Sequence, residues 1–455
     1  MQASIIDSAY ELLEETILYH NGQPVGTTAA VPANLSAVNY GDCFIRDFFP
    51  SALVFLMKGD YDIVRNFLTT VLTLCDQQER MPGHEFAEGL MPASFEVTAT
   101  ADGGSKLVAD FGDRAIGRVA PVDSAAWWMI LLRVYSLTSG DIALAQSDRF
   151  QEGMRKILNL YLHESFEISP AMLVPDAAFM IDRRMGVYGH PLEIQALFYG
   201  MLATAQQLLL PEPANDGLLR IINKRMPALC SYVRLFYWLD EQRLNEIHRY
   251  KSEEFGWDAQ NLLNIYPETI PDWLDGWLCR NDGYMVGNVG PGKIDFRYFA
   301  GGNLLSIIFG LTTDIQGDMI MRLYESHWDQ LAGRMPFKLV YPAAIGKECA
   351  LLTGCDPKNS PWSYHNGGNW PCLLWMFTCA AIRTGHADLA TRAIEVAAAR
   401  LQRDRWPEYY DGQTGSLIGR RANLNQTWTA TALIIADQLL ENPDSLAVFE
   451  ALIST

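Results

Sequence analysis

The chain has 455 residues, a formal net charge of −18, and 49% apolar residues. That composition can bury a large core and excludes a disordered or fibrous chain, while the acidic balance argues against nucleic acid or an anionic membrane surface as partner and favours a neutral ligand. No apolar run reaches the roughly 18 residues of a membrane span, so no membrane partner is expected.

The opening stretch MQASIIDSAYELLEETILYH spaces apolar residues for a helix from Ala3 to His20 and carries Asp7, Glu11, Glu14 and Glu15. With no basic stretch ahead of an apolar block it does not read as an export signal, and a cytoplasmic protein is expected. Eight scattered cysteines without a C-x-x-C pair agree, since free thiols in a reducing compartment look this way. Next, YGDCFIRDFFPSALVFL leads from a loop holding Tyr40, Asp42, Arg46 and Asp47 into a strongly apolar helix, and LMKGDYDIV turns the chain into a more amphipathic one. GHEFAEG offers His84, Glu85 and Glu88 but lacks H-E-x-x-H spacing, so no metal site is expected there.

The same form then recurs. PVDSAAWWMILLRVYSL brings Asp123, Trp127 and Trp128, followed by the turn LTSGDIALA. FMIDRRMGVYGHPLEIQ sets Asp182, two arginines, His190 and Glu193 between apolar flanks ahead of another apolar helix. The glycine-rich stretch from Gly283 to Gly292 carries no phosphate-loop pattern and reads as a mobile loop near a pocket mouth. FRYFAGGNLLSIIFGL contributes Arg297, Tyr298 and Asn303. WSYHNGGNWPCLLWMFTCAAI contributes Trp362, Tyr364, His365, Asn366, Asn369 and Trp370, and is closed by RTGHADLA. DRWPEYYDG holds Glu408 between a proline and a glycine, and NLNQTWTATALIIADQL brings Asn425, Gln426 and Trp428.

A polar, aromatic loop thus opens onto an apolar helix six times, and after most of these a glycine turn starts an amphipathic helix. A helix apolar on all sides must be covered on all sides, whereas an amphipathic one can face water. Six such hairpins in a ring give an all-α fold, an (α/α)6 barrel, with the first helix completing the outer circle; an open solenoid is the structural alternative. A single domain over residues 1–455 is expected. The loops then meet at one end, where carboxylates, amides and aromatic rings suit a sugar.

Glycoside hydrolysis needs two carboxyl groups, one protonated and one ionised. Asp182 and Glu408 are the candidates. Apolar neighbours of Asp182 favour a protonated carboxyl, while Arg183 and Arg184 favour a salt bridge and an ionised one. Glu408 lies either against a sugar, walled by Trp406, Tyr409 and Tyr410, or on an ordinary surface loop.

The segments YGDCFIRDFFP, MIDRRMGVYGHPLEIQ, WSYHNGGNWP and WPEYYDG, in that order from about Tyr40 to Gln426, resemble the alkaline/neutral invertases, family 100 of the glycoside hydrolases. The chain is more similar to short bacterial members than to plant forms with N-terminal extensions. The resemblance implies the (α/α)6 barrel and cleavage of sucrose to glucose and fructose from the glucosyl side, with inversion. It makes Asp182 the general acid and Glu408 the group that activates water. Their carboxyls should then stand about 6.5–9.5 Å apart, facing each other across one cavity. Tyr40, Asp42, Arg46, Asp47, Asp123, His190, Glu193, Arg297, Trp362, His365 and Gln426 are the candidate substrate contacts, about half of which should touch sugar. No cofactor and no metal is expected, and a homo-oligomer is. The competing readings are another carbohydrate enzyme on the same barrel (a phosphorylase, a glucoamylase-like hydrolase or an epimerase) and a helical-repeat scaffold without catalysis.

Overall fold

The computed structural model describes residues 2–31, 39–76, 88–101, 103–112, 121–163, 167–174, 179–181, 185–256, 258–290, 293–418 and 422–453. After α1 (Gln2–Glu15) the helices come in groups: α2 (Ile45–Lys58) with α3 (Tyr61–Asp76); α4 (Ser124–Ser139) with α5 (Ile142–Gln146) and α6 (Asp148–Tyr161); α7 (Leu192–Leu208) with α8 (Asp216–Phe236) and α9 (Glu241–Arg249). There follow α10 (Ala300–Ile308) with α11 (Asp314–Ser326), α12 (Trp328–Leu331) and α13 (Gly346–Thr353); α14 (Leu374–Arg383) with α15 (Ala387–Ala398); and α16 (Thr427–Glu441) with α17 (Leu446–Ile453).

The first helix of each group belongs to an inner circuit. α2 packs on α4, α4 on α7, α7 on α10, α10 on α14, α14 on α16, and α16 returns to α2. Burial explains the sorting: every residue of α4 from Ser124 to Ser136 is buried, whereas α15 buries Leu389, Ala390, Ala393, Ile394 and Ala397, a single helical stripe. Outside the circuit, α1 lies on α16, α3 on α2 and α4, α8 on α7, and α15 on α14 and α16. The turns are as the sequence implies. Gly59, Gly140 and Gly385 have φ of 78°, 74° and 80°, the left-handed region that ends a helix without a side-chain clash, and Asp141 caps α5 by accepting from the Leu144 amide.

Small antiparallel sheets decorate this frame, so the chain is helix-rich but not purely helical. β1 (Ile17–His20) pairs with β2 (Gln23–Thr27), which shortens the expected first helix: Ile17, Leu18 and Tyr19 extend instead of continuing it. β3 (Cys43–Phe44), β4 (Ser94–Ala99) and β5 (Ser105–Asp110) form a three-stranded sheet, and β6 (Glu167–Ile168) pairs with β7 (Ala171–Met172). β8 (Trp238–Asp240), β9 (Gly283–Gly290), β10 (Lys293–Phe299) and β11 (Val340–Tyr341) form a four-stranded sheet in the order β11-β10-β9-β8.

The strand β9 corrects the reading of Gly283 to Gly290 as a mobile loop. Its glycines make room rather than freedom: a Cβ on Gly283 would stand 2.5 Å from the Trp238 ring and one on Gly287 2.6 Å from the Phe299 ring. Of the acids and histidine of GHEFAEG, His84 and Glu85 lie outside the described residues.

Because Phe299 is buried at the end of β10, immediately ahead of α10, its ring has nowhere to go. Gly287→Ala is therefore expected to cost about 1–3 kcal/mol by overpacking, read as a lowered thermal midpoint; a midpoint equal to the parent's would fit a loose loop and not this sheet.

Candidate active site

The loops that enter α2, α7, α14 and α16 meet around a cavity whose empty space, open solvent included, is about 620 Å³. Its walls include Asn39, Tyr40, Phe44, Arg46 and Asp47 from the first loop, Phe179 and Met180 from the second, Tyr364, His365 and Trp370 from the third, and Glu408, Gln426 and Trp428 from the last.

Glu408 is buried on its wall. The Tyr40 hydroxyl donates to Oε1 at 2.6 Å, the Asn423 amide donates to Oε2 at 3.1 Å, and the Lys358 ammonium lies 3.7 Å from Oε2. Every one of these neighbours is a donor or a cation, which matches a carboxylate in an acceptor role. Each carboxylate oxygen can accept twice, so a water molecule still finds a lone pair. Lys358 in turn sits 3.7 Å above the Tyr364 ring centroid, a cation held between an acid and a π face.

The loop carrying Glu408 is fixed by its neighbour. Asn369 and Tyr410 exchange backbone hydrogen bonds of 2.9 and 2.8 Å, and the Gly412 amide donates to the Trp362 carbonyl at 2.8 Å. Arg405 and Trp406, just ahead of Pro407, have φ of 63° and 50°. Such conformations persist only where surrounding contacts hold them, and here the Glu408 amide donates to the Asn423 carbonyl and the Asn425 and Gln426 amides donate to the carbonyls of Arg405 and Trp406.

A charge cluster begins on the cavity wall with Arg46 and Asp47. Arg46 donates to Asp123 at 2.8 Å and stands 3.8 Å from Asp47. Burial pushes the Asp47 carboxyl up to about 7, with Arg46 opposing and Glu408 and Asp123 adding to the rise. Burial, then Asp123, pushes Glu193 up to about 8 against the pull of Arg46 and of the Met180 amide. Glu193 Oε1 accepts from that amide at 3.2 Å, so it fixes the segment Phe179–Ile181 that leads into Asp182. Asp182 itself, with Arg183 and Arg184, lies outside the described residues.

Of the other expected contacts, Tyr40, Arg46, Asp47, His365 and Gln426 line the cavity. Gln426 Nε2 and Trp428 Nε1 are buried there without a hydrogen-bond partner among the described residues, two donors suited to sugar hydroxyls. Asp42, Asp123, His190, Glu193, Arg297 and Trp362 are absent from the cavity wall. Asp42 accepts from the Ser94 hydroxyl beside β4. His190 bonds through Nδ1 to the Val289 carbonyl at 2.8 Å, which makes it a partner of β9, and burial lowers its pKa. Arg297 is clamped on Asp295 through Nε at 2.8 Å and Nη2 at 2.5 Å. Trp362 instead contributes backbone, holding Gly412. Lys358 and Asn423 were not foreseen: each is an ordinary polar residue in a turn, with no local signal.

A helical frame whose loops gather acids, amides and indoles around one cavity suits the binding of a sugar. The fold is similar to that of a solved glycosidase variant, with a TM-score of 0.58 at 13% identity over 96% of both chains. Residues 9–443 match the family model described as alkaline and neutral invertase. Two rice proteins are similar along almost the whole chain: "Neutral/alkaline invertase 3, chloroplastic", 48% identical over 98% of this chain and 75% of that protein, and "Cytosolic invertase 1", 47% identical over 98% and 79%. The chain belongs to the alkaline and neutral invertases, glycoside hydrolases that cleave sucrose into glucose and fructose.

The raised Asp47 carboxyl has a signed consequence. The folded protein keeps this proton to about pH 7, whereas an unfolded aspartate releases it near about 3.9. Its contribution to stability is therefore full below about pH 4 and is lost as pH rises towards 7. Asp47→Asn should gain stability relative to the parent across that window and hold the gain above it, as urea unfolding at a series of pH values will read; a relative stability independent of pH contradicts the assignment.

Proposed function

We propose that sucrose is hydrolysed from its glucosyl side with inversion, on an (α/α)6 barrel that acts as a single catalytic domain. The barrel reading is supported by the circuit of six apolar helices, closed where α16 meets α2, with an outer layer of amphipathic helices. One continuous cluster of buried apolar residues supports the single domain.

In this mechanism Glu408 accepts a proton from water as the water oxygen bonds to the glucosyl anomeric carbon. Asp182 donates a proton to the glycosidic oxygen as its bond to that carbon breaks, releasing fructose. The observation that carries the reading is the setting of Glu408: a buried carboxylate on the cavity wall, surrounded by Tyr40, Asn423 and Lys358, all donors or cations. Support for Asp182 as its counterpart comes from Phe179 and Met180, which line the same cavity immediately ahead of it. Tyr364, Trp370 and Trp428 present rings, and Gln426 an amide, to the sugar. A phosphorylase would need cations free for phosphate beside Glu408. Among the described residues the cation within 4.0 Å of it is Lys358, already shared with the Tyr364 ring.

A cytoplasmic location is the corresponding inference, supported by the likeness to "Cytosolic invertase 1" and by eight cysteines that are all free thiols. Among the described residues no helix is long and apolar enough to cross a membrane.

Glu408→Gln and Asp182→Asn are each expected to lower sucrose turnover about a hundred- to ten-thousandfold while leaving the circular dichroism spectrum unchanged. Proton NMR of fresh product should show β-glucose first, at a rate independent of phosphate. Initial α-glucose would mean retention, and glucose 1-phosphate in phosphate buffer would mean phosphorolysis.

A further inference from the structure

Away from the cavity, three potential ligand side chains meet at the start of β9. Cys279 and Asp282 belong to the turn that leads into β9, closed by a 3.0 Å bond from the Asp282 amide to the Cys279 carbonyl, and His327 lies at the junction of α11 and α12. One ligand atom from each lies within 4.8 Å of the other two. The chemistry of the trio is unusual for a structural contact. Asp282 is only 2% exposed, yet its Oδ2 and the buried His327 Nε2 each have no partner at normal hydrogen-bond distance among the described residues. They face each other at 4.0 Å, too far to bond directly. Two buried polar atoms left in this way are unfavourable unless something bridges them.

We propose that Cys279, Asp282 and His327 bind a zinc-class divalent metal ion, through the thiolate sulfur, carboxylate Oδ2 and imidazole Nε2. A thiolate with an imidazole selects such an ion over magnesium or calcium, which prefer all-oxygen sets. Three protein ligands leave a fourth position for water, on the side where Cys279 is exposed. With zinc bonds of about 2.0–2.3 Å the ligand atoms need to stand about 3.3–3.8 Å apart, so the trio closes by about 1 Å on binding. The supporting groups are in place. Ser326 donates to Asp282 Oδ1 at 3.3 Å, leaving Oδ2 for the metal, and the His327 ring stacks on Trp277 with centroids 4.9 Å apart, which fixes its plane. Desolvation, then the charge of Asp282 and a hydrogen bond to it, push the Cys279 thiol up. Metal binding therefore releases the thiol proton to solvent as the sulfur–metal bond forms. The ion would tie the start of β9 to the outer helix α11, which already packs on that strand.

The test uses the full-length protein, stripped with a chelator and titrated with zinc by calorimetry and with cobalt by absorption. One zinc per chain, a rise in thermal midpoint and a near-ultraviolet thiolate-to-cobalt band are expected. Cys279→Ser, on an exposed turn, should keep sucrose hydrolysis at the parent rate, abolish the band and weaken zinc binding at least about tenfold; Asp282→Asn should weaken it likewise. Cys355→Ser, which removes the other exposed thiol, should change neither. Absence of saturable binding, undiminished affinity in Cys279→Ser, or a band that disappears with Cys355 would each overturn the proposal.

Discussion

The hydrogen bond from the Tyr40 hydroxyl to the Glu408 carboxylate joins residues 368 positions apart, and the site depends on it. It exists because the helical circuit closes. α16 packs on α2, and a backbone seam runs beside that contact: Val31 donates to Asn425, Thr427 donates to Ala29, and the Thr427 hydroxyl reaches the Thr28 carbonyl at 2.7 Å. The seam brings the loop ahead of α2 and the loop ahead of α16 to one wall. Glu408 alone would be a loop acid. Closure encloses it, supplies Tyr40 as donor, and places Arg46 and Asp47 on the same cavity wall.

The charges around the cavity follow from that enclosure. Four acids, Asp47, Asp123, Glu193 and Glu408, share a buried region in which Arg46 and Lys358 are the neighbouring cations with recorded contacts. Arg46 is committed to Asp123, and burial dominates Asp47 and Glu193, so these two keep protons that exposed acids would lose. A neutral disaccharide tolerates the acidic surroundings, in agreement with the charge of −18 carried by the chain.

The helical frame was legible because its signal is local. A run such as SAAWWMILLRVYSL has no polar face, and glycine turns after α2, α4 and α14 mark where each hairpin bends. The cavity loops were legible for the same reason, since tyrosine, tryptophan and acids cluster just ahead of the apolar runs. What stayed hidden is what distance in sequence decides. Arg297 and His190 carry the right chemistry in the right kind of loop, yet Arg297 is bound to Asp295 and His190 to Val289 of β9. Glycines at 283 and 287 look like flexibility until the rings of Trp238 and Phe299 are seen lying on them. Lys358 becomes a site residue only when its turn folds over Tyr364.

Activity of Tyr40→Phe tests the central claim most directly, because the substitution deletes one hydroxyl and leaves the ring that lines the cavity. A hydrogen bond to a charged group is worth about 1.5–3 kcal/mol; if that is felt in the transition state, kcat/KM for sucrose should fall by about ten- to a hundredfold, while the thermal midpoint falls by only about a few degrees. Parent-level kcat/KM in a folded Tyr40→Phe protein would mean that closure of the helical circuit does not act on Glu408 through this bond, and the account would fail.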